Sequence, residues 1–257
     1  MLHDLILFLV GIIVGGMNAI AGGGMLVGFP VLLAMGLPAL TANATANIVV
    51  LPSGLGSVFG YKKYLRKVPR SYLLLTIPAI IGAAIGAWIL RHTSSTSFEH
   101  LVPALILVAV VLFTFQPFLY KQIHQHLHGP KKARKSNKPL IIVGLALLPL
   151  SIYGGFFGAG FGFVILAFLG FTRLNEHIHR MNALKNVITI CISSTSIVVL
   201  AGSHLIDWQH GLVMGAGGAI GAYCGARLAQ RLSGHAVRIV IIIIGFSTAI
   251  YLGLRTY

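Results

Sequence analysis

Long apolar stretches separated by short polar segments dominate this sequence. Six of these stretches are unbroken and 18 to 20 residues long. Each can cross a hydrocarbon core of about 30 Å as an α-helix, which rises about 1.5 Å per residue. The pattern therefore predicts an all-α polytopic membrane protein, and its full-length helix candidates are residues 43–61, 72–90, 101–120, 182–201, 211–229 and 237–254.

Two further apolar stretches are interrupted by glycine. Residues 5–18 run into a first break at 22–24, and residues 140–157 run into a second break at 158–162. The apolar pieces that follow, 25–35 and 163–171, are short, and the first would reach only about 16 Å as a helix. With both arms of each broken stretch included, we expect ten helical segments.

The same features recur in the same order in both halves of the chain. An Asn-Ala-x-x-Asn motif follows each break, and Asn182 follows Asn43 by 139 residues. Paired broken helices within an internal repeat are typical of transporters built from two inverted halves. We therefore predict two inverted-topology repeats, each a glycine-broken helical hairpin plus three transmembrane helices. Residues 1–120 form the first repeat, 121–138 a basic cytoplasmic linker and 139–257 the second repeat.

The basic residues distinguish two topologies for the broken stretches. Each stretch is either one interrupted crossing or a hairpin that leaves on the side it entered. Cytoplasmic loops carry the excess of Lys and Arg, so the better topology places more of them inside. With 121–138 inside, a hairpin in the second half places 17 of the 19 basic residues inside, whereas a single crossing places 12 there. The hairpin alternative is favoured, and it puts both termini outside the cytoplasm.

Composition excludes a water-soluble protein. Hydrophobic residues make up 56% of the 257 residues and charged residues 9%, so only a bilayer can keep that much apolar surface from water. The net charge of +15 arises from 19 Lys and Arg against four acids, and the basic residues lie mostly between apolar stretches. We expect them to face membrane lipid as orientation signals rather than nucleic acid. The expected location is the cell membrane, in bacteria the inner membrane.

The glycine breaks are the first candidate for a substrate site. A break at membrane depth frees backbone N–H groups, and the helices that follow direct their positive dipole ends at the same place, which suits a small anion. Alternatively, glycines only allow helices to pack closely, as we expect for Gly82 with Gly86 and for Gly221 with Gly225. The proposed walls of the site are Gly22, Gly23, Gly24, Gly158, Gly160 and Gly162.

The two Asn-Ala-x-x-Asn motifs are the second candidate. Asn43 with Asn47, and Asn182 with Asn186, are four residues apart, so each pair shares one helix face. Their amides offer uncharged N–H donors for reversible anion binding, or else hydrogen bonds that hold the two halves together. Lys185 lies within the second motif, and is either an intramembrane cation at the site or a lysine that reaches the cytoplasmic interface.

Four elements of the sequence, taken together, resemble the TauE/SafE family of sulfite exporters, also described as sulfur-anion or sulfonate permeases. They are residues 21–30, 158–163, 204–208 (His-Leu-Ile-Asp-Trp) and 221–228 (Gly-Ala-Tyr-Cys-Gly-Ala-Arg-Leu). The resemblance implies transport of small sulfur-containing anions across the cytoplasmic membrane, and it suggests ligand roles for Thr45 and Lys185. Because Phe161 stands where the family usually continues with glycine, we expect the two breaks to differ.

The acidic residues bear on the energy source. Asp4, Glu99, Glu176 and Asp207 all lie away from the middles of the predicted spans. An embedded carboxylate is the usual carrier of coupled protons or sodium, so the leading hypothesis is facilitated export of the anion. The alternatives are an uptake permease for organosulfonates or another small organic anion, and a structural membrane subunit without transport activity.

Enzymatic and metal chemistry are not indicated. No HExxH motif is present, and the acids are too scattered to form a carboxylate pair. The alternating His124, His126 and His128 have no Cys or carboxylate nearby to complete a metal site. We therefore expect no cofactor and no metal, and the sequence leaves the oligomeric state open.

Overall fold

The computed structural model describes residues 2–127, 140–169, 178–230 and 235–256, and within these ranges it is helical and contains no strand. Most of the predicted linker, Glu176 and the end of the second broken stretch lie outside the described residues. The helices are α1 (Leu2–Ala21), α2 (Met25–Ala34), α3 (Ala39–Gly60), the short α4 (Lys62–Leu65), a 3-10 helix (Arg70–Leu75), α5 (Thr76–Arg91), α6 (Ser95–Leu127), α7 (Leu140–Phe156), α8 (Phe161–Leu169), α9 (Ile178–Leu200), α10 (Trp208–Leu228) and α11 (His235–Thr256).

Each of the ten predicted helical segments is a helix, so the predicted all-α fold is confirmed. The largest difference is at α6, which has 33 residues and continues to Leu127, into the segment predicted to be a linker. Its final turns contain Lys, Gln and Leu, which are good helix formers, so the end of the apolar pattern does not end the helix. At about 50 Å, α6 is longer than a bilayer core is thick.

Proline alters one predicted span. Residues 72–90 were expected to form one helix, but the chain adopts a 3-10 helix from Arg70 and becomes α-helical only at Thr76. Pro78 has no N–H group, so it cannot donate the α-helical hydrogen bond to Leu74. The 3-10 helix therefore ends at Leu75, and the α-helix begins at Thr76.

The helices pack mainly across the two halves. Helix α1 packs against α10, and α7, which has the corresponding position in the second half, packs against α5. In the same way α3 packs against α10 while α9 packs against α5, and α3 also contacts α9 directly. Most of the contact surface of a helix is therefore supplied by the other half.

Glycines allow these helices to approach closely. A Cβ atom at Gly221 would overlap the carbonyl oxygen of Ile12 on α1, and one at Gly86 would overlap the carbonyl oxygen of Ile152 on α7. A Cβ at Gly82 would lie 2.7 Å from the Leu148 carbonyl oxygen. The predicted packing role of these glycines is confirmed, because the facing backbone leaves no room for a side chain.

The outer surface of the bundle is apolar. Three described helical stretches, His3–Ala21, Arg70–Arg91 and Ile178–Leu200, are long and apolar enough to cross a membrane, and shorter apolar helices accompany them. Ile13, Trp88 and Leu212 are among the large apolar side chains that are more than half exposed. Such a surface suits lipid rather than water. The chain is a multi-pass membrane protein.

Helices α3 and α10 run parallel. The backbone N–H of Asp207, which precedes α10, donates to Thr45 Oγ1 near the start of α3 at 2.9 Å. At the other end, Gly60 packs directly against Ala226. The starts of the two helices therefore lie at one end of the bundle, and their last turns at the other.

These two ends carry different charges. Glu99 lines a cavity beside Pro38 at the end where α3 begins, which is also the end of Asp207. We call this the far end. The opposite end, where α3 and α10 finish, we call the basic end, because a cavity there is lined by Lys62, Lys63, Arg66 and Arg227.

Candidate functional site

The two glycine breaks meet inside the bundle. A Cβ atom added to Gly22 would lie 2.8 Å from the backbone of Gly162, and one added to Gly162 would lie 2.7 Å from the Gly22 carbonyl oxygen. Gly22 has a φ of 85° and Gly160 a φ of 77°, a conformation that favours glycine. We call this contact between the two breaks the glycine junction. The sequence predicted two broken stretches, and the structure brings their backbones together.

The remaining glycines of the predicted site lie around this junction. Gly23 and Gly24 are buried, and Gly24 precedes α2 without a side-chain hydrogen bond to cap the helix. In the first turn of α2, the N–H groups of Leu26 and Val27 donate to the carbonyl oxygens of Gly23 and Gly24, both at 3.0 Å. Helix α8 begins at Phe161, two residues before the predicted start, so Gly162 lies in its first turn rather than in a loop.

In the first half, each predicted polar residue has a hydrogen-bond partner, although Asn43 Oδ1 has none among the described residues. Asn43 Nδ2 donates to the Phe156 carbonyl oxygen at 2.8 Å, at the C-terminal end of α7. Asn47 Nδ2 donates to the Ala44 carbonyl oxygen at 3.4 Å within its own helix. Thr45 Oγ1 accepts the Asp207 N–H, so this hydroxyl connects α3 to the start of α10.

Asp207 also caps α10. Its Oδ1 accepts the backbone N–H of His210 at 3.0 Å, and its Oδ2 lies 2.8 Å from His210 Nδ1. Burial raises the pKa of Asp207, but the hydrogen bonds and charge of His210 outweigh this effect, so the pKa is below its usual range. The Asp-Trp element noted in the sequence therefore secures the start of α10 and its contact with Thr45.

In the second half, the polar residues of α9 face the interior with fewer partners. Lys185 is 1% exposed, and its Nζ donates to the Asn18 carbonyl oxygen at 2.9 Å, near the end of α1 and the first break. Asn186 is fully buried, and among the described residues neither atom of its amide has a hydrogen-bond partner. Oδ1 of Asn182 lacks a partner among those residues as well.

The hydrogen bonds cross between the halves. A side chain of α3 donates to the end of α7, and a side chain of α9 donates to the end of α1. The last carbonyl groups of a helix carry partial negative charge, so each donor stabilises the end of a broken arm in the other half. Lys185 in particular places its side-chain amino group against the negative end of α1.

Sequence reasoning missed part of a polar row on α9. Its members follow one another at intervals of four and three residues, so they share one helix face, and all are buried. Thr189 Oγ1 and Ser196 Oγ have no partner among the described residues. The regular spacing was visible in the sequence, and the full row is Asn182, Asn186, Thr189, Ser193 and Ser196.

The site is enclosed in this conformation. Lys185, Asn186 and the glycines 22–24 are all buried. Surface cavities of about 920 and 970 Å³ lie at the basic end and the far end, and neither is lined by the glycine breaks.

The sequence matches a known family over almost its whole length. The family model described as "Sulfite exporter TauE/SafE" matches residues 7–252. A "Probable membrane transporter protein" of Haemophilus influenzae is 29% identical over 248 residues, which cover 94% of this chain and 91% of that protein.

Further relatives have the same description. One from Sinorhizobium is 26% identical over 253 residues, covering 96% of this chain and 90% of the relative. One from Escherichia coli is 27% identical over 248 residues, covering 93% and 85%. No solved structure gives a significant match.

Proposed function

We propose, from the premise that this chain belongs to the sulfite exporter TauE/SafE family, that it moves small sulfur-containing anions such as sulfite through the glycine junction. The family and the names of the relatives indicate a membrane transporter rather than an enzyme. The substrate, the direction and the site residues are our proposal.

The observation that carries the proposal is the buried Lys185. An unpaired charge inside a protein is very costly, and among the described residues no carboxylate pairs with this ammonium group. Lys185 Nζ has three N–H donors, and one is used by the Asn18 carbonyl oxygen. An anion beside the first break would supply the missing negative charge and accept the remaining donors.

Uncharged donors complete the proposed site. The amide of Asn186, which includes the Nδ2 donor, is buried without a partner among the described residues. Neutral donors bind an anion without a second ion pair, which favours release on the other side. We assign direct binding to Lys185, Asn186 Nδ2 and the backbone of the glycine junction.

The polar row on α9 suggests the path. It extends from Asn182 to Ser196, beside α3, and α9 is a helix long enough to cross the membrane. Because the site is enclosed, transport requires one half to move against the other and open the junction to each side in turn.

The charges of the bundle support one orientation. The hairpin alternative requires Arg227 to lie on the same side as Lys62, and both line one cavity. Tyr251, near the end of α11, lines the cavity at the far end. We propose that the basic end is cytoplasmic and that both chain termini face outward.

Export needs no coupled ion. An inside-negative potential favours exit of each unit negative charge by about 2.3 kcal/mol per about 100 mV. Of the described acids, Glu99 and Asp207 lie at the far end rather than beside the junction, and Asp4 lies in the first turn of α1. We therefore propose facilitated efflux.

Flux through the purified protein in liposomes tests this function. Sulfite, sulfate, thiosulfate and organosulfonates would be compared at defined membrane potentials, and we expect sulfite efflux that accelerates as the interior becomes more negative. An initial efflux rate that does not change with the membrane potential would exclude facilitated efflux. A protein that moves none of these anions would exclude the proposed substrate class.

Two glycine variants connect the flux to the junction. Gly162→Ala places a Cβ 2.7 Å from the Gly22 carbonyl oxygen, so we expect a loss of about tenfold or more in the flux. Gly158→Ala is the matched control, because the nearest atoms would be 3.9 Å from the new Cβ. Equal flux in both variants would show that transport does not depend on the contact between the breaks.

A further inference from the structure

The basic end contains a cavity that the proposed transport mechanism does not use. Its volume is about 920 Å³, and it lies between the ends of α3 and α10 and the short α4. Of the described residues that line it, four are basic and none is acidic. We propose that this cavity binds the phosphate headgroup of an anionic phospholipid, with the acyl chains lying along the adjacent apolar helix surface.

Two of the cations are already held in place. Lys63 Nζ lies 4.9 Å from the centre of the Tyr64 ring, and Arg227 Cζ lies 4.8 Å from the centre of the Tyr223 ring. An aromatic face attracts a cation and limits its movement. The guanidinium group of Arg227 can then form two parallel hydrogen bonds to one phosphate.

The apolar part of the lining favours a lipid over a free anion. Phe59 and Leu228 line the cavity and are 65% and 49% exposed. Leu55, one turn earlier on α3, is 45% exposed, so the apolar surface continues from the cavity along the helix. A free phosphate would gain nothing from this surface, whereas acyl chains would cover it.

The cavity is also separated from the glycine junction. Gln230 Nε2 donates to the Gly60 carbonyl oxygen at 3.2 Å and to the Ala226 carbonyl oxygen at 2.9 Å, which joins α3 to the end of α10. Gly60 packs directly against Ala226. The cavity therefore opens at the helix ends, at the level expected for headgroups, where basic pockets bind anionic lipids.

Native mass spectrometry of the full-length purified protein tests the proposal. Phosphatidylglycerol and phosphatidylcholine with the same acyl chains would be added separately. We expect retention of phosphatidylglycerol, and about 25-fold weaker retention in the Lys62→Gln/Arg227→Gln variant, because each basic residue contributes about fivefold. Both side chains are exposed, so the change does not disturb the core.

Matched variants separate this cavity from general surface charge. Lys67 and Arg70 are exposed near the same end but do not line the cavity, so Lys67→Gln/Arg70→Gln should keep retention within about twofold. Equal losses in the two double variants would overturn the proposal. So would equal retention of both lipids, or displacement of the lipid by millimolar inorganic phosphate, which would indicate a free-anion site.

The exposed Cys224 offers a second measurement on the unaltered chain. Its thiol lines the same cavity. In liposomes that contain phosphatidylglycerol, we expect N-ethylmaleimide to modify Cys224 several-fold more slowly than in phosphatidylcholine alone. Equal rates would contradict occupation of the cavity, whatever the behaviour of the charge variants.

Discussion

Helices α3 and α9 have the same Asn-Ala-x-x-Asn motif but use it differently. On α3, the amides of Asn43 and Asn47 both donate hydrogen bonds to carbonyl oxygens. On α9, Asn186 has no partner among the described residues, and Lys185 is buried beside the first break. The comparison teaches that the amide donors of α3 are used within the protein, whereas α9 has hydrogen-bonding capacity left for a substrate.

The largest effect should come from the buried cation. Lys185→Met removes the positive charge that we assign to the anion, and breaking a buried pair costs about 3 to 5 kcal/mol, so we expect a loss of about a thousandfold in sulfite flux. Lys185→Arg, which keeps the charge, should retain part of the flux. Initial efflux from liposomes at a fixed potential measures both.

One structural observation and one control variant accompany this prediction. The Asn18 carbonyl oxygen also accepts the Gly22 N–H at 2.9 Å, so the end of α1 keeps a partner and the protein should stay folded in detergent. Lys67→Met removes an exposed lysine and should leave the flux unchanged. If Lys185→Met transports sulfite at the normal rate, Lys185 does not bind the anion.

A smaller effect should distinguish the equivalent amides of the two helices. Asn186→Leu removes donors that are free to bind the anion, so we expect a loss of roughly tenfold to a hundredfold in flux. Asn47→Leu removes a long hydrogen bond within α3 and should cost less than about threefold. The same flux assay compares them, and a greater loss in Asn47→Leu would reverse the roles of α3 and α9.

Thr45 should affect stability rather than transport. In Thr45→Val the N–H of Asp207 loses its acceptor, which should lower the free energy of unfolding by about 1 kcal/mol. Thermal unfolding in detergent measures the change, with Thr41→Val on the same helix as the control. If Thr45→Val loses flux without losing stability, Thr45 contributes to substrate binding rather than to the fold.

The smallest effect concerns acid stability at the start of α10. The pKa of Asp207 is lowered in the folded protein, so its contribution is present above the ordinary carboxyl pKa and is lost as the pH falls through the folded pKa. Because Asp207 is partly exposed, we expect less than about 1 kcal/mol. Asp207→Asn should unfold at a lower temperature at pH 7, and the difference should shrink below about pH 4. If the difference in unfolding temperature is the same at every pH, the Asp207 carboxylate is not its cause.

The sequence was sufficient for the helices and for the positions of the breaks. Apolar length identified the spans, and glycine clusters identified the interruptions, because both are local properties. The predicted helix ends differ from the observed ones. Helix α9 begins at Ile178, so Asn182 lies one turn inside the helix rather than at its start. A charged or polar residue ends an apolar pattern without ending a helix.

The roles of the motif residues could not be found in the same way. Asn43 and Asn182 have the same place in the motif, and the spacing alone does not show that Asn43 Nδ2 donates to the end of α7. The contact between Gly22 and Gly162 depends on how two distant hairpins pack, and a resemblance to a family does not define it. In contrast, the row that continues through Thr189 on α9 was accessible from spacing alone.

Packing across the halves has a consequence for synthesis. Gly11 on α1 packs against Met214 on α10, more than 200 residues later. At roughly 5 to 20 residues per second, the ribosome needs about 10 to 40 seconds to deliver that partner. Until then the glycine face of α1 is in contact with lipid or with a chaperone, so α1 completes its packing only after α10 has been synthesised.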